Sequence, residues 1–286
     1  MPIKVFGGSI PGVEHLGTNG LPKNESNQDS FVIESVDEDS AVMIVCDGCG
    51  GEPHSKIGSH IVSKLLAPMI VNEYKSLQGR IVSWETLLKN VQQNLLEKVL
   101  SVARILCVDD DSKLRTVIKE NLLCTVLGAI VTKEEVIIFY CGDGVLVYNG
   151  EVEVLKSNDN NEPAYFVYLS TSSQFSREDL QFRIWKQDKR GNFNSLALGT
   201  DGCVDIIGHE SVKLSHGFVV PPFSAFWSDD SYVKNPCILQ RKLNLMNMSN
   251  AVNGQIRSGI LPDDTTLVVC VNDCLCDLTN SQEKGG

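Results

Sequence analysis

A chain of 286 residues has room for one large domain or two small ones, and 42% hydrophobic residues is ordinary for a globular protein with a sizeable core. A formal net charge of −11 leaves no basic stripe to neutralise a nucleic-acid backbone, so nucleic acid is excluded as a general partner. No apolar run reaches the ~18–20 residues of a membrane span, and Met1-Pro2-Ile3-Lys4-Val5 lacks the apolar core and processing site of a secretory leader, so a cytoplasmic chain with no membrane partner is expected.

Residues 31–36 and 41–46 read as paired strands joined by the charged turn Asp37-Glu38-Asp39. Ile57, Ile61, Leu65, Leu66, Met69 and Ile70 recur at helical spacing and predict a helix over about 55–74. Trp84, Leu87, Leu88, Val91, Leu95, Leu96 and Val99 predict a second over 83–106, with Ser83 and Thr86 at its first turn. The run Val108-Asp109-Asp110-Asp111 reads as a solvated loop. Strands are then expected over 122–132, 135–141, 144–148 and 152–155, with Asn149-Gly150 as a hairpin turn. Further strands are expected over 165–169, 182–186 and 195–200, with polar connections at 157–162 and 187–194. Helical material follows Asp201, clearest over 236–250, and a strand over 265–271 closes the chain. Strands and helices do not alternate regularly. The order predicts an α+β fold, a two-sheet antiparallel β-sandwich flanked by helices. It forms one domain over 1–286, with a short polar tail from about Asn272.

The ten cysteines do not form the two closed pairs that a structural zinc site needs. Cys46 and Cys49 make one C-x-x-C, but Cys46 ends the apolar run 41–45 and points to a core; Cys274 and Cys276 lie close together near the C-terminus. Reduced packing cysteines are expected.

Four acidic motifs run down the chain in order: Asn27-Gln28-Asp29-Ser30-Phe31, Cys46-Asp47-Gly48-Cys49-Gly50-Gly51, Gly199-Thr200-Asp201-Gly202 and Pro262-Asp263-Asp264-Thr265-Thr266. Taken singly, each Asp is an ordinary turn or strand-end residue. Together they place carboxylates from distant segments at strand ends, as a hard cation requires, since such ions take oxygen ligands. Asp47 can share its two oxygens between two cations, and the Gly48 carbonyl offers a further oxygen. Two such ions can activate a water and clamp a phosphoryl group. The residues therefore describe a candidate metal-dependent phosphatase.

The order Asn-Gln-Asp, Asp-Gly-x-Gly-Gly, Thr-Asp-Gly and Asp-Asp-x-Thr resembles the metal-dependent protein phosphatases of the protein phosphatase 2C family, the bacterial-type members above all. Two further segments support the resemblance, which runs from about Asn27 to Val271. Tyr140-Cys141-Gly142-Asp143-Gly144-Val145 is similar to the family's Gly-Asp-Ser-Arg strand pair, and Leu123-Cys124-Thr125-Val126 to the Thr-bearing strand before it. The resemblance implies that Asp47, Asp201 and Asp263 are catalytic through two Mn²⁺ or Mg²⁺ ions. Asp47 would bridge them, Asp201 and Asp263 would complete one, and the Gly48 carbonyl would serve the other. Asp29 would act through waters on the metals, and Asp143 with Asp201 would serve a third, weaker ion. A water between the two metals would attack phosphorus, and the substrate would be a phosphorylated Ser or Thr on a protein, handled by a monomer in signalling.

Three departures stand out. The family's phosphate-binding Arg position is Asn24 here, beside Lys23, which supplies a point charge without a bidentate fork. The His that follows Asp-Gly in animal-type members is Cys49; His54 lies in the next loop. Gly144 and Val145 replace the Ser and Arg of the third motif. Two other readings are open: a non-catalytic phosphatase-like binding or scaffold protein, and a metal-dependent hydrolase of a small phosphate ester.

Overall fold

The computed structural model describes residues 2–15, 27–52, 54–77, 83–108, 110–156, 162–171, 174–252, 255–257 and 259–273. In chain order these form β1 (Ile3–Ile10), β2 (Ser30–Asp37), β3 (Ser40–Cys46), α1 (Lys56–Ser76), α2 (Trp84–Leu106), α3 (Asp111–Leu122), β4 (Val126–Val131), β5 (Glu135–Cys141), β6 (Gly144–Tyr148) and β7 (Glu151–Leu155). There follow β8 (Arg183–Lys189), β9 (Ser195–Gly199), α4 (Cys203–Gly208), α5 (Ala225–Ser228), α6 (Asp230–Lys234), α7 (Cys237–Met246), β10 (Asn250–Val252), β11 (Gln255–Arg257) and β12 (Thr265–Asn272). One five-stranded sheet has the order β1-β12-β9-β6-β7, the other β2-β3-β4-β5-β8, and every pairing in both is antiparallel. The expected helix-flanked sandwich is what the chain forms.

Strand β3 shows why its apolar run is unbroken. All seven of its residues are buried. Met43 and Val45 face the other sheet, against Leu146, Leu198 and Val268. Val42, Ile44 and Cys46 face the opposite way, onto the layer of α1 and α2. Successive side chains point to opposite faces, so a strand covered on both sides is apolar throughout. β12 repeats the logic, with Val268 and Cys270 between the sheets and Leu267, Val269 and Val271 under α5 and α7.

Some boundaries move. Helix α2 starts as expected, with the Ser83 side chain accepting the Thr86 N–H at 3.3 Å. In α1, Leu66 and Ile70 are buried but Ile57 is exposed, and Ser59 and Ser63 are buried instead. The segment expected as a strand from Leu122 begins at Val126, because α3 occupies 111–122. Asp110, expected in a loop, caps that helix and accepts the Ser112 N–H at 3.1 Å. Residues 165–169, expected as a strand, belong to a 3-10 turn, Phe166–Ser170, that buries Phe166 and Val167. β8 extends to Lys189, into the expected connection, and the helix expected to Asn250 ends at Met246. Asn149 and Gly150 make the hairpin turn with φ of 50° and 87°. β1 and the β10–β11 hairpin had no counterpart in the expected elements. Lys23, Asn24, Asp109, Cys274 and Cys276 lie outside the described residues.

Candidate functional site

Antiparallel pairing brings the motifs to one end of the sandwich. Ser30 pairs with Cys46, so Asp29 and Asp47 leave the same end of β2 and β3. Val126 pairs with Cys141, which sets Thr125 near the β5–β6 link that carries Asp143. Gly199 pairs with both Val145 and Leu267, which brings the link, Asp201 and the start of β12 to the same level.

A cavity of about 270 Å³ opens at this end, lined by Asp47, Gly48, Asp143, Asp201 and Asp263. Cys49, Thr125, Glu162 and Tyr165 complete much of its wall. Asp29 does not line it. It is 3% exposed and lies behind, where its Oδ2 accepts the Thr200 hydroxyl at 2.9 Å. Thr200 Oγ1 in turn accepts the Thr266 N–H at 2.9 Å from the neighbouring strand β12, so the Thr200–Asp29 bond links the two sheets beneath the cavity. His54 is exposed and is not part of the wall.

The backbone around Asp47 is held on two sides. Its N–H donates to Thr125 Oγ1 at 3.2 Å, and its carbonyl accepts the Thr125 N–H at 2.8 Å. The next N–H, of Gly48, donates to the Gln28 carbonyl at 3.2 Å. Gly144, beside Asp143, has φ of +133°, and a Cβ there would stand 2.7 Å from the Gly199 carbonyl oxygen. A serine at 144 would be strained, so the departure from the Gly-Asp-Ser-Arg pattern follows from the local backbone.

Asp264, next to Asp263 in the last motif, holds the site together. It is 2% exposed, and its Oδ1 accepts the Gly12 N–H and contacts His15 Nδ1, each at 2.8 Å. Its Oδ2 accepts the Gln28 N–H. This one carboxylate fastens the end of β1 and the Asn27-Gln28-Asp29 motif to the segment bearing Asp263. His15, Asp263 and Asp264 also form a compact acidic and imidazole group, with ligand atoms within 4.8 Å of one another. Both Asp264 oxygens already serve the chain itself. The adjacency of Asp264 to Asp263 was the one sequence signal for this role; Tyr165 and Glu162 carried none, since distant packing places them.

Crowding sets the electrostatics. Burial, then Asp29, Asp201, Asp263 and Asp143 in turn, push the Asp47 carboxyl well above the ordinary range. Burial and Asp264 do the same to Asp29. Burial, Asp263 and Asp143 raise Asp201 to about 6, partly offset by a hydrogen bond from Asp47. Asp263 is raised chiefly by desolvation. Like charges held this close favour either protons or cations. One buried oxygen, Asp29 Oδ1, has no hydrogen-bond partner, a costly state that an ordered water or ion would relieve. The donor set is mainly carboxylate and carbonyl oxygen, which fits Mg²⁺ or Mn²⁺. Cys46 and Cys124 are fully buried and outside the wall. The eight described cysteines are all free thiols.

The protein phosphatase 2C family model matches residues 16–244. No curated protein sequence matches the chain. Among solved structures, a bacterial serine phosphatase variant superposes with a TM-score of 0.54 at 13% identity, covering 96% of this chain and 100% of that one. The serine/threonine phosphatase Stp1 from Staphylococcus aureus gives 0.50 at 14% identity, covering 96% of each. A C. elegans sex determining protein gives 0.55 at 15% identity, covering 95% of this chain and 65% of that one. At these identities the structural likeness establishes the fold. Among the described residues, no helix is long and apolar enough to cross a membrane.

Proposed function

Because the chain belongs to the protein phosphatase 2C family, we propose that it is a divalent-metal-dependent phosphatase that hydrolyses Ser/Thr phosphomonoesters on proteins. The observation that carries this reading is the convergence of Asp47, Asp143, Asp201, Asp263 and the Gly48 backbone on one cavity. Family membership implies a divalent metal and phosphoprotein substrates. Two Mn²⁺ or Mg²⁺ ions would be held by Asp47, Asp201, Asp263 and the Gly48 carbonyl, and a third, weaker one by Asp143 with Asp201. When bound, such ions polarise the phosphoryl oxygens and acidify a water nucleophile to near neutrality.

The chain's own residues hold and orient. Thr125 keeps Asp47 in place through its two hydrogen bonds. Asp29 is poised by Thr200 to order water behind Asp47. Tyr165 stands with Cys49 on the cavity wall, and burial raises its phenol far above its ordinary range, so the hydroxyl keeps its proton there. Lys23 would supply the charge for the substrate phosphate. Asn24→Arg is expected to lower KM with kcat near its starting value, and Lys23→Ala to raise KM. Initial-rate kinetics on a phosphopeptide check both, and silence of both variants would remove Lys23 from the site. Free thiols suit a reducing, cytoplasmic compartment, and a monomer is expected.

Turnover of a phosphoserine peptide and of p-nitrophenyl phosphate with Mn²⁺, with and without EDTA, tests the reading. Mn²⁺-dependent release of phosphate from the peptide supports it. Turnover of the small ester alone points to a small-molecule hydrolase, and turnover of neither to a binding protein.

A further inference from the structure

Beside the aspartate cavity lies a second, larger one of about 490 Å³. Glu162 lines both, so the two are neighbours that share one wall residue. A series of aromatic rings also runs from one to the other. Tyr165, on the aspartate cavity wall, meets Tyr168 edge-on at 5.6 Å, and Tyr168 stacks on Phe175 at 6.1 Å and 19°. Tyr168 and Phe175 line the second cavity. Glu162 is committed to that aromatic wall, accepting the Tyr168 hydroxyl at 3.1 Å and the Gln174 amide at 2.7 Å. The opposite wall is α3, which presents Arg115 and Lys119 one turn apart on the same face. Among the described residues lining the two cavities, these are the only cations. Lys119 is two-thirds exposed and pairs with Glu52 at 3.3 Å. Glu52 is the more buried partner, at 16% exposed, while the Lys119 end faces solvent, where a second carboxylate can approach it.

From this juxtaposition we propose that the groove between α3 and the Tyr168–Phe175 wall receives the polypeptide flanking the phosphorylated residue and selects an acidic side chain close to it. The proposal rests on the phosphatase reading and adds the sequence preference of the substrate. In a chain of net charge −11, Arg115 with Lys119 concentrates positive charge at the border of the aspartate cavity. The aromatic wall offers apolar contact to the neighbouring residues. The smaller cavity holds the phosphoresidue and the larger one its neighbours.

The test uses the metal-loaded chain and phosphonate analogues of three phosphoserine peptides that differ only in their flanks, Asp, Ala or Lys. Binding is read by fluorescence anisotropy. The wild type is expected to bind the Asp-flanked peptide roughly 5-fold more tightly than the Lys-flanked one, the size expected of two half-solvated ion pairs. This preference should fade with added salt. Arg115→Ala with Lys119→Ala should erase the preference, and Arg115→Glu with Lys119→Glu should invert it. Equal binding, a Lys preference in the wild type, or an Asp preference that survives both double variants or high salt overturns the proposal. Wild-type turnover of p-nitrophenyl phosphate reports hydrolysis separately. No turnover with an intact Asp preference sinks the hydrolytic reading and spares the groove; turnover without a preference sinks the groove alone.

Discussion

Asp47 stands among Asp29, Asp201, Asp263 and Asp143, and each of them raises its carboxyl. Asp47→Asn or Asp201→Asn removes one charge at nearly constant shape. Each is expected to lower Mn²⁺-dependent kcat by a factor on the order of 10² or more, because in the proposed mechanism the ions would supply several kcal/mol of transition-state stabilisation. Steady-state turnover measures this, and near wild-type rates in both variants would place the chemistry elsewhere. The same crowding predicts a pH effect without metal. Asp201 moves from an ordinary 3.8 to about 6 on folding. Between those values the folded chain holds a proton that the unfolded chain has released. The stability linked to this group is therefore greatest at low pH and falls as pH rises through about 6. In EDTA, the melting temperature of Asp201→Asn should gain on the wild type as pH rises across that window. A constant difference would mean that Asp201 does not titrate there.

Among the elements, the antiparallel registers do the gathering, and Asp264 does the fastening. Asp264→Ala would leave the Gly12 and Gln28 N–H groups without their acceptor. At ~1–3 kcal/mol for each buried donor, a loss of about 2–6 kcal/mol is expected from denaturant unfolding. An unchanged midpoint would mean that water replaces the carboxylate. The sandwich strands were legible because β3, β5, β6 and β12 carry long apolar runs covered on both faces. β1 was not, since Gly7 and Gly8 interrupt its apolar pattern. Helix α3 hid behind an acidic run whose Asp110 is its cap, and five of its twelve residues are charged, with Ile118 and Leu122 its buried residues. The run 165–169 is rich in strand-forming residues, yet packing of Phe166 and Val167 into the helix-side core bends it into a turn. At the site, the aspartates were legible because each motif keeps its Asp beside its strand. Glu162 and Tyr165, which reach the cavity, and His15, which reaches Asp264, were not, because nothing local marks a contact made with a distant segment.

At the scale of the whole molecule, two sheets packed face to face form a rigid frame whose open end holds acidic groups contributed by both. Such a frame with unneutralised charge should be stabilised by cations. At 100 times the dissociation constant, a bound ion adds ~2.7 kcal/mol per site. The melting temperature should rise with Mn²⁺, return with EDTA, and respond far less in Asp47→Asn. An equal rise in that variant would move the ions to another surface. The most direct measurement is anomalous diffraction at the manganese edge from crystals grown with Mn²⁺. The account predicts two peaks roughly 3.5–4 Å apart in the cavity, with oxygen ligands from Asp47, Asp201, Asp263 and Gly48. A cavity without peaks, or an ion ligated by the sulfur of Cys46 or Cys49, would contradict it.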